Sequence, residues 1–78
     1  MKVTVIGKFR KRGVSRKTGE VYDICNAYVT HPLRGAEGLI SEKVFLNPEQ
    51  FDFDGIQIGK AYNLDYDSNG FLMDFSLI

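Results

Sequence analysis

A chain of 78 residues with 44% hydrophobic and 13% aromatic content is too short for two domains and too apolar for disorder, so residues 1–78 read as one small globular domain. A single cysteine, Cys25, excludes an intramolecular disulfide, and no stretch approaches the roughly 20 apolar residues that a membrane helix needs. The formal net charge is zero, yet residues 1–19 hold seven cations and no acid, whereas residues 20–78 hold three cations and ten acids. Such asymmetry points toward nucleic acid or a membrane surface, against the plainer alternative of a solvated basic hairpin. The N-terminus lacks an unbroken apolar run, so no secretory leader is expected, and a cytoplasmic protein without a membrane partner is the expectation.

The first element is "KVTVIGKFR", residues 2–10. Period-two alternation predicts a strand with Val3, Val5, Gly7 and Phe9 on an apolar face. Lys2, Thr4, Ile6, Lys8 and Arg10 share the other, mostly basic face. "RKRGVSRKTGEVYD" follows, residues 10–23, with Arg10, Lys11, Arg12, Arg16 and Lys17 close behind Lys8. Gly13 and Gly19 allow a sharp turn at each end of this segment, so it reads as a basic β-hairpin. "YDICNAYVT" resumes the alternation, with Tyr22, Ile24, Asn26, Tyr28 and Thr30 on one face. Val21, Asp23, Cys25, Ala27 and Val29 take the opposite face, Cys25 as a small buried apolar residue.

"HPLRGAEGL" breaks the pattern and reads as a loop that includes His31. Leu39 to Leu46 form a third strand. "NPEQF" predicts a single helical turn, with Asn47 as cap and Pro48 in the first helical position. "DGIQIG" is turn-rich, with room for one short extended piece. At the C-terminus two alternating runs flank Ser68-Asn69-Gly70, a hairpin signal because Asn and Gly both tolerate positive φ. The last strand is expected to place Phe71, Met73, Phe75 and Leu77 on one face, with Leu72 and Ile78 on the other. Five short strands joined by glycine-rich turns predict an all-β sandwich or small barrel.

Little here supports catalysis. His31 is the only histidine, and no cysteine cluster has metal spacing. The carboxylates do not follow a calcium-loop pattern, and no glycine loop precedes a helix. The expectation is a non-enzyme with no metal, no cofactor and no small-molecule substrate.

The basic hairpin suits phosphate. Its two arms converge Lys8, Arg10, Lys11, Arg12, Arg16 and Lys17 on a short length of chain, and Ser15 and Thr18 add hydroxyl donors. Single strands also need flat side chains for base stacking. Tyr22 and Tyr28 share a strand face beside the hairpin; half-buried core tyrosines with exposed hydroxyls are the competing explanation. Phe45, Phe51, Phe53, Phe71 and Phe75 read as core or interface.

"GVSRKTGEVYDICNAYV" resembles the DNA-binding wing of the gene-five type single-stranded-DNA-binding proteins of filamentous phages. "GKAYNLDYDSNGFLMDFSLI" is similar to that family's closing hairpin. The resemblance implies a five-stranded OB-like barrel with a protruding basic wing. It further implies a homodimer that coats single-stranded DNA during phage or mobile-element replication, in the host cytoplasm. It carries phosphate contact onto Arg16, with Arg12 nearby, and stacking onto Tyr22. Glu20-Val21 stands where the family has a lysine before its tyrosine, and Asn69 stands where the family presents an aromatic. Two other functions fit the residues: an RNA-binding OB module or translational repressor, although the cold-shock aromatic strand motif is absent, and a β-barrel docking an acidic protein partner. Short length and an apolar final strand also predict self-association, with Leu72, Phe75 and Leu77 at the dimer interface.

Overall fold

The structure, a computed structural model, describes all residues from Met1 to Ile78. Five strands form in chain order: β1 (Lys2–Val14), β2 (Val21–Pro32), β3 (Leu39–Leu46), β4 (Ala61–Tyr66) and β5 (Leu72–Leu77). They make one antiparallel sheet in the order β3-β2-β1-β4-β5, with no helix. The all-β, five-stranded expectation therefore holds. Closure into a barrel does not, because β3 and β5 remain unpaired edges. The sheet is nonetheless curled: Val44 and Leu46 of one edge strand, β3, join one buried cluster with Leu64 of β4 and Phe75 of the other edge strand, β5.

Val3, Val5, Cys25, Ala27, Val29, Val44, Leu46, Tyr62, Leu64 and Phe75 fill the inner face of the curl. The connection between β3 and β4 covers that face and adds Phe53 and Ile56. It pairs briefly with β1, Gly59 N–H donating to the Val5 carbonyl at 2.7 Å and Val5 N–H to the Lys60 carbonyl at 3.1 Å. The predicted helical turn is present as one turn only. The Phe51 and Gln50 amides donate to the Asn47 carbonyl, and the Asn47 side chain caps Glu49 N–H at 3.0 Å. "DGIQIG" forms turns and contains no strand.

Two bulges change which side chains share a face. In β1, Val5 pairs with Val29 but Gly7 with Tyr28, so Ile6 is an extra residue. Beyond it the parity of β1 reverses. Lys8, Arg10 and Arg12 turn to the inner side, while Phe9, expected on the apolar face with Val3 and Val5, turns outward and is 50% exposed. In β5, Asp74 pairs with Asp65 but Leu72 with Tyr66, leaving Met73 unpaired. Leu72 thereby joins Phe75 on the inner side, contrary to simple alternation, and Met73 and Phe71 are exposed.

The C-terminal hairpin sits where Ser68-Asn69-Gly70 predicts it. Only Gly70 has positive φ, at 85°, so Asn69 does not share that role. Gly70 N–H donates to the Asp67 carbonyl, and the Asp67 carboxylate accepts from the Asn69 and Phe71 amides at 2.9 Å. The loop is thus a three-residue turn closed by glycine.

Candidate nucleic-acid interface

β3 ends its pairing at Leu46, opposite Cys25, so beyond that point β1 and β2 continue alone. The free ribbon pairs Lys11 with Ile24, Arg12 with Asp23, Gly13 with Tyr22 and Val14 with Val21. This is the expected wing. β1 explains its reach: 13 residues at about 3.3 Å each match the molecule's 44 Å long axis. The tip closes through Ser15 N–H to the Glu20 carbonyl and Gly19 N–H to the Ser15 carbonyl, both 2.8 Å, with Gly19 at φ 71°. The hydroxyl oxygens of Ser15 and Thr18 accept from the Thr18 and Glu20 amides, so both brace the tip.

Gly13 makes no turn. It lies within β1, directly opposite Tyr22, whose ring crosses over it. A Cβ at position 13 would stand 2.5 Å from Tyr22 Oη and 2.7 Å from Cζ. The glycine is therefore a seat that lets an aromatic ring lie close to the ribbon.

Tyr22 belongs to an outer face shared by β1, β2 and β3. Cross-strand pairing builds it in rows: Gly13 with Tyr22, Lys11 with Ile24, Phe9 with Asn26 and Phe45, Gly7 with Tyr28 and Lys43. Tyr28 is 36% exposed here, and its ring is no part of the core. Phe45, expected in the core or an interface, is 66% exposed, with the Lys43 ammonium 5.2 Å above its ring centre. Phe9 and Phe45 were not among the expected contact residues. For Phe45 a signal exists in "EKVFL": by alternation it shares a face with Lys43 and opposes Val44.

The cations divide. Lys11, Arg16 and Lys17 are exposed and make no ion pair, and Arg12 touches Asp23 only at 3.7 Å. Lys8 and Arg10, expected at phosphate, point to the inner side and serve the fold. The Lys8 ammonium donates to the Phe53 and Asp54 carbonyls at 3.3 and 3.2 Å. Arg10 grips Asp23 through two hydrogen bonds of 3.0 and 2.7 Å, with Asp54 at 3.7 Å. That bidentate bond holds the Asp23 carboxyl below the usual carboxylate range. Both cations also lie over the Phe53 ring. Burial pushes the Cys25 thiol up, as expected for a packing residue.

His31 is not in a loop. It ends the buried run of β2, with Nδ1 2.9 Å from the Pro32 carbonyl oxygen and Nε2 3.0 Å from a Glu42 carboxylate oxygen. The outer face of β4 and β5 is acidic. Asp65 and Asp74 stand opposite each other, and Asn63 Nδ2 donates to both at 2.7 Å. The Met1 ammonium adds an ion pair to Asp65 at 3.0 Å. No group of residues has the arrangement of a metal site. No helix is long and apolar enough to cross a membrane.

Of the residues expected to join two protomers, Phe75 is buried and stacked on Tyr62 at 4.9 Å, and Leu72 packs against the same core. Leu77 is half exposed and borders a shallow groove with Phe51, Ile56, Tyr62 and Phe75. Phe71, Met73 and Ile78 are exposed around it.

Neither a family model, nor a curated protein, nor a solved structure matches this chain.

Proposed function

We propose that the protein is a non-catalytic single-stranded-DNA-binding protein that coats strands during phage or mobile-element replication. The observation that carries this reading is the outer side of the wing. There Tyr22 lies across Gly13, with Lys11 beside it and unpaired Arg16 and Lys17 at the tip. A flat ring supplies stacking for any unpaired base, and flexible cations supply phosphate contact without reading sequence. A duplex buries its base faces and cannot use the ring. The resemblance of "GVSRKTGEVYDICNAYV" to the gene-five type wing supports the same reading, and Arg16 and Tyr22 are the positions it selects.

Lys11, Arg16 and Lys17 are free to neutralise phosphate, and Arg12, held only by a 3.7 Å contact to Asp23, can join them; Lys8 and Arg10 are committed elsewhere. Four released counterions on a single strand give a slope of log affinity against log salt of about −3. The test is a titration of single-stranded DNA, RNA of equal sequence and duplex DNA over a range of salt. Preferential binding of single-stranded DNA with that slope is expected. A slope of zero removes the phosphate role, and tighter binding of RNA turns the assignment to an RNA module.

A further inference from the structure

The Phe9, Asn26 and Phe45 row is built differently from the rest of the outer face. Phe9 and Phe45 are large, apolar and exposed, and they flank one residue, Asn26, across three adjacent strands. Asn26 is only 6% exposed, and its Oδ1 has no hydrogen-bond partner. A buried acceptor without a donor destabilises the free protein and is uncommon in native folds. Apolar residues occupy the neighbouring positions of β2, so the core does not require an amide here.

Strand spacing defines what fits. Adjacent strands lie about 4.8 Å apart, which separates the Phe9 and Phe45 backbones by roughly 10 Å. Stacked aromatic rings have centroids from about 4.5 Å apart. Asn26 is covered in the free protein, so the exposed Phe9 and Phe45 side chains must part to admit a ligand; parted, they hold one flat ring between them, in stacking contact with both, with its edge directed down at Asn26. The Lys43 ammonium, above the Phe45 ring, is placed for a phosphate attached to that ring.

The geometry points to a nucleobase clamp: Phe9 and Phe45 sandwich one base of the bound strand, and the Asn26 amide reads its edge. This rests on the proposed function and adds a second site on the body, away from the wing tip. The vacant Oδ1 needs a donor and the amide nitrogen an acceptor. Adenine offers an amino group beside a ring nitrogen, the pairing that asparagine makes in two-bonded recognition. Thymine lacks the amino group. The clamp therefore adds base preference to a protein whose wing has none.

The test uses dye-labelled oligodeoxyadenylate and oligothymidylate, with binding read by anisotropy. Phe45→Ala and Phe9→Ala change exposed side chains, and each should weaken oligodeoxyadenylate binding about tenfold. Asn26→Leu removes the unpaired acceptor, so its melting temperature should rise while the ratio of adenylate to thymidylate affinity falls about fivefold or more. Arg16→Ala should weaken both oligomers equally and leave that ratio unchanged. If Phe45→Ala and Asn26→Leu bind both oligomers as wild type does, while Arg16→Ala is weakened, the clamp is wrong and the wing stands. If wild type binds no single strand, both readings fall. If Phe45→Ala instead halves the mass in solution with DNA affinity unchanged, the occupant is a second copy of the chain, which also overturns the clamp.

Discussion

At the scale of single residues, small side chains decide what large ones can do. Gly13 leaves room for Tyr22, so Gly13→Ala reaches the proposed binding surface indirectly. The added methyl displaces only the far end of a movable ring, and the fold should survive. Tyr22→Ala should cost about 1–3 kcal/mol of single-strand affinity, and Gly13→Ala a large part of that. A titration of both variants beside a far-ultraviolet spectrum checks this; full affinity in a folded Tyr22→Ala would remove stacking from the wing. His31 supports a second expectation. Both ring nitrogens face oxygens that can only accept, a carbonyl and a carboxylate, so only the doubly protonated ring satisfies both. The Pro32 carbonyl, then the Glu42 carboxylate, raise its pKa. A raised folded pKa stabilises fully below the unfolded value of about 6.5, and the contribution fades as pH rises through the folded value. Melting temperature should therefore decline from about pH 6.5 upward, and His31→Gln should flatten that slope. An unchanged slope in the variant would assign the decline to other groups.

At the scale of elements, period-two alternation made all five strands legible, because each hydrophobic run is a local property of the chain. The wing cations and Tyr22 were legible for the same reason: a turn and one strand register suffice to place them. Phe9 was not, since its face depends on an extra residue at Ile6 that has no local signature. The outward face of Phe45 was legible from alternation with Lys43, but its place beside Asn26 and Phe9 was not, since those residues lie on other strands. The commitment of Lys8 and Arg10 to Phe53, Asp54 and Asp23 is likewise set by contacts distant in sequence. The Ile6 bulge has a mechanical test. Residues on both sides of it are already in phase with β2, so deleting Ile6 leaves every other β1–β2 pair intact. Deleting Thr4 instead throws Val3 or Val5 onto the wrong face. The Ile6 deletion should melt well above the Thr4 deletion, and equal losses would show that the bulge itself stabilises the fold.

At the scale of the whole molecule, an open sheet leaves edges. β5 presents an unpaired backbone edge with Met73 and Leu77 exposed along it and Phe71 and Ile78 at its ends. A short chain gains most by covering such an edge with a second copy. Sedimentation at micromolar concentration should give about twice 8.8 kDa. Leu77→Glu should return it to the monomer with its fold retained, whereas Phe75→Glu should unfold it, because Phe75 is inside. A folded wild-type monomer would rule the dimer out. The wing has its own consequence. Past the Arg10–Asp23 clasp it is a two-stranded ribbon, and such ribbons are marginal without a third strand. The wing can therefore come apart and re-form many times during one lifetime of the folded body. Amide hydrogens of residues 11–24 should trade with solvent deuterium long before those of Val5, Val29 and Val44. If the wing binds a strand as proposed, that trade should slow there first, and the ligand would be recorded as a change in tempo.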